Sequence, residues 1–443
     1  MLRWAPQARV PSNLFARYTF RSTAHARFMS TAADDDDSDW PHYTFPEEPL
    51  GLPANEGYGF FQGTPEDVLG ADGRFQLQAK LGFGTNSSVW LAKDRQRGSH
   101  VALKILSGYA SQLNVESKLR ELAIHERLAS LPAEEIEHCS QLITDFMHKG
   151  IEQDGDHLCL ALELEQTTLD AAWAVHGVSS TFYPIRLVKR ILRHMLHGMA
   201  ALHKCGFAHT DIKPDNIMVG LTPSSTTQTI DDWARAHSPR VYGPCQSLYK
   251  VVTEAFVSNP LPVPSVAELE TCTFKLGDFS NAQQVDDQTT DHITPLTLRP
   301  PELILGAHGV FTVITQVPLF PKELRPIHHK HLQSGVEPSA EGLEVDYILW
   351  LITLFTGQRY PPMVLAVYEN SPLYFNEDGN WKRFKKDIVK RPLEICVRDA
   401  GCSASDEDVA GACSLMRRCL KLNPTDRPSA LELLHDPWLK ESP

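Results

Sequence analysis

The sequence predicts an α+β fold in two lobes: a small β-rich lobe with one long helix, then a larger, mainly helical lobe. Three observations carry this expectation. Short apolar runs of strand composition follow one another from residue 75 to residue 106. After about residue 165 the apolar residues recur at helical intervals. Two polar motifs interrupt that second region, His209-Thr210-Asp211-Ile212-Lys213-Pro214-Asp215-Asn216 and Gly277-Asp278-Phe279-Ser280.

The elements follow in chain order. Residues 1–33 hold Arg3, Arg9, Arg17, Arg21 and Arg27 but no acid, and Asp34-Asp35-Asp36-Asp37 comes next. Such a leader fits a mitochondrial transit peptide or a disordered leader, and either way lies outside the fold. Residues 34–74, rich in Pro, Gly, Asp and Glu, read as an extended lead-in. Phe75–Leu81, Ser88–Lys93 and Val101–Leu106 are candidate strands. Val115–Leu131 is the expected long helix, with Leu119, Leu122, Ala123 and Leu128 along one stripe. His157–Leu164 is an apolar strand that closes the first lobe, set at 75–163.

The second lobe spans 166–440. Pro184–Cys205 is a helix, with Leu187, Ile191, Leu192, Met195 and Leu202 at its buried positions. A Ser/Thr/Pro-bearing stretch, about 221–272, separates the two polar motifs and reads as a loop-rich insertion with some short structure. The last third is helical again, and Tyr347–Phe355 is by its length a buried helix, too short to span a membrane.

Composition narrows the function classes. At 443 residues, with 42% hydrophobic and 22% charged residues, the chain can bury a large core. Its net charge of −13 argues against nucleic acid as a direct partner and fits a basic protein substrate, although excess acid also serves solubility. The nine cysteines form no Cys-x-x-Cys pair, so reduced thiols are expected. His328-His329-Lys330-His331 lacks the ligand pattern of a zinc site and reads as a solvated loop.

The motifs point to phosphoryl transfer. That chemistry needs a proton acceptor for a hydroxyl, a cation for the moving phosphate, and oxygen ligands for a metal. Asp211, Lys213 and Asn216 supply these in the octet, and Asp278 adds the second metal ligand. Oxygen ligands of this kind suit Mg²⁺. Upstream, Leu81-Gly82-Phe83-Gly84-Thr85-Asn86-Ser87-Ser88-Val89 lies between two strands, where glycines let backbone approach a phosphate. An ordinary Gly-containing hairpin would read the same way. Val101-Ala102-Leu103-Lys104 ends an apolar strand in an ammonium, for which Glu121 is the candidate partner, with Glu116 and Glu126 as alternatives. Arg299-Pro300-Pro301-Glu302 would pair through Glu302 with Arg427 of Asp426-Arg427-Pro428-Ser429-Ala430.

In this order the motifs resemble the eukaryotic protein kinase family over roughly residues 75–440. Gly57-Tyr58-Gly59, the form of the octet, the insertion and Phe355-Thr356-Gly357 are similar to fungal kinases of the SR-protein kinase type. The resemblance implies the bilobal protein-kinase fold, ATP as donor, Mg²⁺ as cofactor, and Ser or Thr of Arg/Ser-rich splicing factors as acceptor. It implies a monomer that works in cytoplasm and nucleus, away from membranes. It places the nucleotide on Leu81, Gly82, Phe83, Gly84, Ser87, Val89, Ala102, Lys104 and Glu121. The hinge then falls at Glu163-Leu164-Glu165, with Leu162 at the back of the adenine pocket.

Two departures stand out. Thr210 replaces the Arg that precedes the catalytic Asp and receives a loop phosphate, so activity is expected not to depend on phosphorylation of Thr289, Thr290, Thr294 or Thr297. No Asp and no Trp occurs between Glu302 and Asp346, where the family begins a buried helix with Asp-x-Trp. Either that helix start is lost, which would leave a weak or dead enzyme that binds ATP as a scaffold, or an exon boundary is misplaced.

Overall fold

A computed structural model describes residues 47–151, 153–176, 183–241, 245–246, 252–253, 255–285, 343–360, 365, 371–384, 392–399, 402–422 and 426–440. The upper lobe is one antiparallel sheet. Its strands are β1 (Val68–Leu69), β2 (Phe75–Phe83), β3 (Ser87–Asp94), β4 (Ser99–Leu106), β5 (Leu142–His148) and β6 (His157–Glu163), in the order β1-β2-β3-β4-β6-β5. In β2, buried Phe75, Leu77 and Ala79 alternate with half-exposed Gln76 and Gln78, the two-residue period of a sheet with one covered face. Phe75 and Leu77 join Trp90, Val101, Leu103, Ile105, Cys159 and Ala161 in the lobe's core. Strand β5 has no counterpart in the sequence reading. It lies at the sheet edge with no fully buried residue, so no apolar alternation marks it.

The expected long helix over 115–131 is two short helices, α1 (Gly108–Val115) and α2 (Glu121–Leu128). Ser117 between them has φ +57°, which no helix accommodates. The stripe read as one face also serves two cores. Leu119 packs with Leu106, Ala110, Leu158 and Leu160, whereas Ile124 and Leu128 join the core of the lower lobe.

In the lower lobe, α3 (Leu169–His176) and α4 (Ile185–Lys204) flank a three-stranded sheet of β7 (Thr167–Thr168), β9 (Ile217–Val219) and β12 (Phe274–Leu276). Helix α4 buries Leu187, Ile191, Leu192, Met195 and Leu202. Strands β8 (Phe207–Ala208) and β13 (Gln283–Gln284) pair antiparallel and bring the segment before the first polar motif beside the segment after the second. Helix α7 (Leu343–Thr356) is mostly apolar, with Tyr347, Ile348, Leu349, Trp350, Leu351, Ile352 and Phe355 all buried. Around it lie α8 (Ser371–Tyr374), α9 (Leu393–Asp399), α10 (Asp406–Cys419), α11 (Ala430–Leu433) and α12 (Pro437–Lys440). No helix among the described residues is long and apolar enough to cross a membrane.

The insertion has real structure: α5 (Thr227–Ala236), a hairpin of β10 (Cys245–Gln246) and β11 (Val252–Thr253), and α6 (Val266–Leu269). Thr226 caps α5 through its side chain, and Ser265 with Glu268 forms a capping box on α6. The insertion touches both lobes. Asp231 of α5 accepts from Lys93 Nζ at 2.9 Å and lies 2.7 Å from His100 Nε2 on the upper sheet. Pro262 and Pro264 offer their carbonyls to Gln166 at 2.7 Å and His176 at 2.8 Å in the lower lobe.

The lead-in is anchored as well. Lys80, at the head of the glycine-bearing turn, is fully buried with its ammonium between Glu47 and Glu48. It also donates to Phe256 O at 2.9 Å, and Ser258 donates to Glu47 from both its backbone and its hydroxyl. Burial raises the Glu48 carboxyl above its usual range, against the pull of Lys80.

Candidate active site

The site lies where the upper sheet meets the two polar motifs. The turn between β2 and β3 is closed by Gly84 N donating to Ser87 O at 2.8 Å. A Cβ built at Gly82 or Gly84 would meet nothing within 4 Å, so protein packing does not demand glycine there. The open space fits the close approach of a phosphate-bearing ligand. Ser87 begins β3 and is buried, while Val89 stands opposite Lys104 in the register of β3 and β4.

Lys104 Nζ donates to Glu121 Oε1 at 2.6 Å, to Glu121 Oε2 at 2.8 Å and to Asp278 Oδ1 at 2.8 Å. Three elements thus meet at one ammonium: β4, α2 and the loop after β12. Burial alone would depress the Lys104 pKa, but the two carboxylates override it and hold it above the usual lysine range. The same ammonium holds Asp278 well below the usual carboxylate range despite its desolvation. Burial pushes Glu121 up, with the Asp278 charge adding to it.

Asp278 has φ +53°, and the next residue, Phe279, is fully buried. The Phe279 ring sits edge-on to His125 of α2 at 5.1 Å and to His209 at 5.6 Å. Burial lowers the His125 pKa to about 3, so this contact is with a neutral ring at physiological pH. His209 Nε2 lies 2.9 Å from Gly277 O and locks the octet to the second motif.

Asp211 is buried, and its two oxygens differ. Oδ2 lies 2.9 Å from Lys213 Nζ and 3.1 Å from Asn216 Nδ2, and Oδ1 is buried with no hydrogen-bond partner. Asn216 Nδ2 also donates to Asp211 O at 2.7 Å. Its nitrogen is therefore committed, and its oxygen is what remains for a cation. Lys213 is desolvated, yet Asp211 raises its pKa above the usual value.

Leu81, Ala102 and Leu164 lie together in one small apolar cluster. Ala102 is opposite Leu162 across β4 and β6. Glu163 and Glu165 are both bridged by Lys275 of β12, at 2.7 Å and 3.0 Å. Burial pushes the Glu165 carboxyl up to about 7. Sequence reasoning passed over Lys275, although Glu163 at the end of β6 and Glu165 just beyond it are two nearby carboxylates that call for a cation. It also passed over His138 and His194. These rings stack 4.0 Å apart and hold Phe274 of β12, His194 Nδ1 accepting from its N–H and His138 Nδ1 bonding its carbonyl, each at 3.1 Å. No sequence signal marks that pair.

The geometry is that of two lobes meeting over a buried lysine, two carboxylates and a loop that carries Asp, Lys and Asn. A family model described as the protein kinase domain matches residues 75–241. The chain carries a protein kinase domain. The chain is similar to SRSF protein kinase 3 of Mus musculus, 36% identical over 151 residues, 33% of this chain and 26% of that protein. It is similar to serine/threonine-protein kinase SKY1 of Saccharomyces cerevisiae, 33% identical over 154 residues, 34% of this chain and 20% of that protein. A serine/threonine protein kinase of Aspergillus fumigatus is 26% identical over 376 residues, 83% of this chain and 84% of that protein. The chain thus spans about a quarter of the mouse relative's length and a fifth of the yeast relative's.

Some expected features fall elsewhere. Glu302, the four threonines from Thr289 to Thr297 and the histidine cluster at 328–331 lie outside the described residues. Arg427, the expected partner of Glu302, donates to Lys421 O at 2.7 Å and to Leu422 O at 3.3 Å. Asp346 is buried near the head of α7, with Oδ2 paired to Arg383 and Oδ1 without a hydrogen-bond partner. Burial pushes its carboxyl up to about 6.

Proposed function

We propose that the protein transfers the γ-phosphoryl group of ATP to Ser or Thr hydroxyls of proteins. The observation that carries this is the unequal Asp211 carboxylate: Oδ2 is held by Lys213 and Asn216, while Oδ1 is buried and unpartnered. A buried acceptor without a donor is costly unless a ligand uses it, and a substrate hydroxyl is a donor of the right kind. Asp211 Oδ1 would accept that hydrogen bond and orient the oxygen for attack. Lys213, 2.9 Å from Asp211 Oδ2, would balance the negative charge that gathers there.

The residues fit a magnesium nucleotide. Asn216 offers an amide oxygen, Asp278 a carboxylate held ionised, and the glycine turn an open approach. Bound Mg²⁺-ATP would supply the phosphoryl group and neutralise its charge. Lys104, fixed by Glu121, would hold the phosphates, and Leu81, Ala102 and Leu164 would pack on the base with Glu163 and Leu164 at the hinge.

Arg/Ser-rich proteins are the substrate class we infer, supported by the net charge of −13 and by the similarity to a protein named as an SRSF kinase. Cytoplasm and nucleus are the inferred compartments, and the arginine-bearing leader would instead direct the chain to mitochondria. Imaging full-length and leader-deleted chains separates these, since identical distributions would remove the mitochondrial alternative.

The deciding experiment incubates purified protein with ATP, Mg²⁺ and an Arg/Ser peptide. Phosphate transfer that vanishes in Asp211→Asn supports the reading. Retained ATP binding without transfer would favour a nucleotide-binding scaffold.

A further inference from the structure

We propose that Asn281 and Thr210 are positioning residues that set the orientation of Asp211 from the metal-bearing loop; this rests on the phosphotransfer reading of the site. Three donors surround Asp211 Oδ2: Lys213 Nζ at 2.9 Å, Asn216 Nδ2 at 3.1 Å and Asn281 Nδ2 at 3.4 Å. The first two belong to the loop that carries Asp211, so they fix the carboxylate only relative to its own backbone. Asn281 comes from a segment 70 residues on, three residues past Asp278. It ties the proton acceptor to the metal ligand.

Asn281 is itself gripped from the octet. The Thr210 hydroxyl donates to Asn281 O at 2.7 Å. Adjacent residues 210 and 211 therefore hold one residue at both its ends, Thr210 at the backbone carbonyl and Asp211 at the side-chain amide. Thr210 sits at φ +63°, a region a β-branched residue seldom occupies. The surroundings hold it there. Phe279 is buried two residues before Asn281, and Gln283 pairs with Ala208 two residues after it. The side chain at 210 is thus a hydrogen-bond donor to the metal loop, and the bond it makes needs no phosphate.

The bond from Asn281 to Asp211 is long, so its loss should cost rate at the low end for a bond to a charged group. Asn281→Ala and Thr210→Val are each expected to lower kcat by roughly tenfold, with KM for ATP within about twofold and the thermal midpoint unchanged. Thr210→Ser keeps the donor and should restore kcat. The double variant Thr210→Val/Asn281→Ala should be no slower than Asn281→Ala, because one chain of bonds is cut twice. The idea is overturned if both single variants keep wild-type kcat, if Thr210→Ser falls as far as Thr210→Val, or if kcat, KM and thermal midpoint all decline together. A wild type that transfers no phosphate would sink the phosphotransfer reading alone. Crystal structures of the two variants then decide positioning: an Asp211 side chain turned away from its wild-type rotamer supports it, and an unmoved one overturns it.

Discussion

The ammonium of Lys80 lies 2.6 Å from Oε2 of Glu47, across 33 positions of sequence, with both side chains shut off from solvent. Glu48 shares the same ammonium. Lys80→Met would leave two buried carboxylates without their cation. Loss of about 3–5 kcal/mol is expected in denaturant unfolding, and Lys80→Met/Glu47→Gln/Glu48→Gln should recover most of it. A single variant as stable as wild type would show that the three groups do not act together.

Lys104 joins α2 and the loop that carries Asp278 to the upper sheet. Lys104→Met should cut phosphate transfer by about a hundredfold or more while the protein stays folded, and Asp278→Asn should do the same. Circular dichroism and a radiolabelled-ATP assay on the same preparations check both. Activity within tenfold of wild type would remove Lys104 from the site.

Glu165 makes stability depend on pH. Its folded pKa of about 7 lies above the ordinary value of 4.5, so the folded state holds a proton that the unfolded state has lost. Stability therefore falls as pH rises through that window and levels off above it. Glu165→Gln removes the dependence. Relative to wild type it should gain on the order of 2 kcal/mol between pH 5 and pH 8, seen as a growing difference in Tm. A constant difference across that range would contradict the assignment.

Asp231 fastens the insertion to the upper sheet through Lys93, His100 and Gln78. Asp231→Asn should weaken that attachment by about 1–2 kcal/mol, and hydrogen exchange at the amides of α5 should speed up while α4 stays protected. Equal exchange in both proteins would mean that α5 is held by its apolar face alone.

Strand β2 was legible because its residues alternate, β3, β4 and β6 because they are short apolar runs, and α4 because its apolar residues keep one face over five turns. The octet was legible because Asp, Lys and Asn at fixed spacing serve one chemistry. Other features depend on contacts that no local pattern encodes. The break at Ser117 comes from two cores competing for one stripe of residues. Lys80 looks like any strand lysine until Glu47 and Glu48 reach it from outside the recognised domain. Asn281 carries no signal of its own, since its meaning lies in a residue 70 positions earlier.

The insertion has a neck. Val257 N donates to Arg240 O at 2.8 Å, and Val241 bridges to Phe256, so the chain leaves and re-enters at one point. Between those positions the backbone can lengthen at little cost, because closing a loop whose ends are already joined grows dearer only slowly with its size. Changes on either side of the neck are different, since they would shift Asp231 or Pro262 off its lobe. A guest sequence, such as an affinity tag or a fluorescent reporter, therefore belongs between Val241 and Phe256. There it would ride on the protein without prising the two lobes apart.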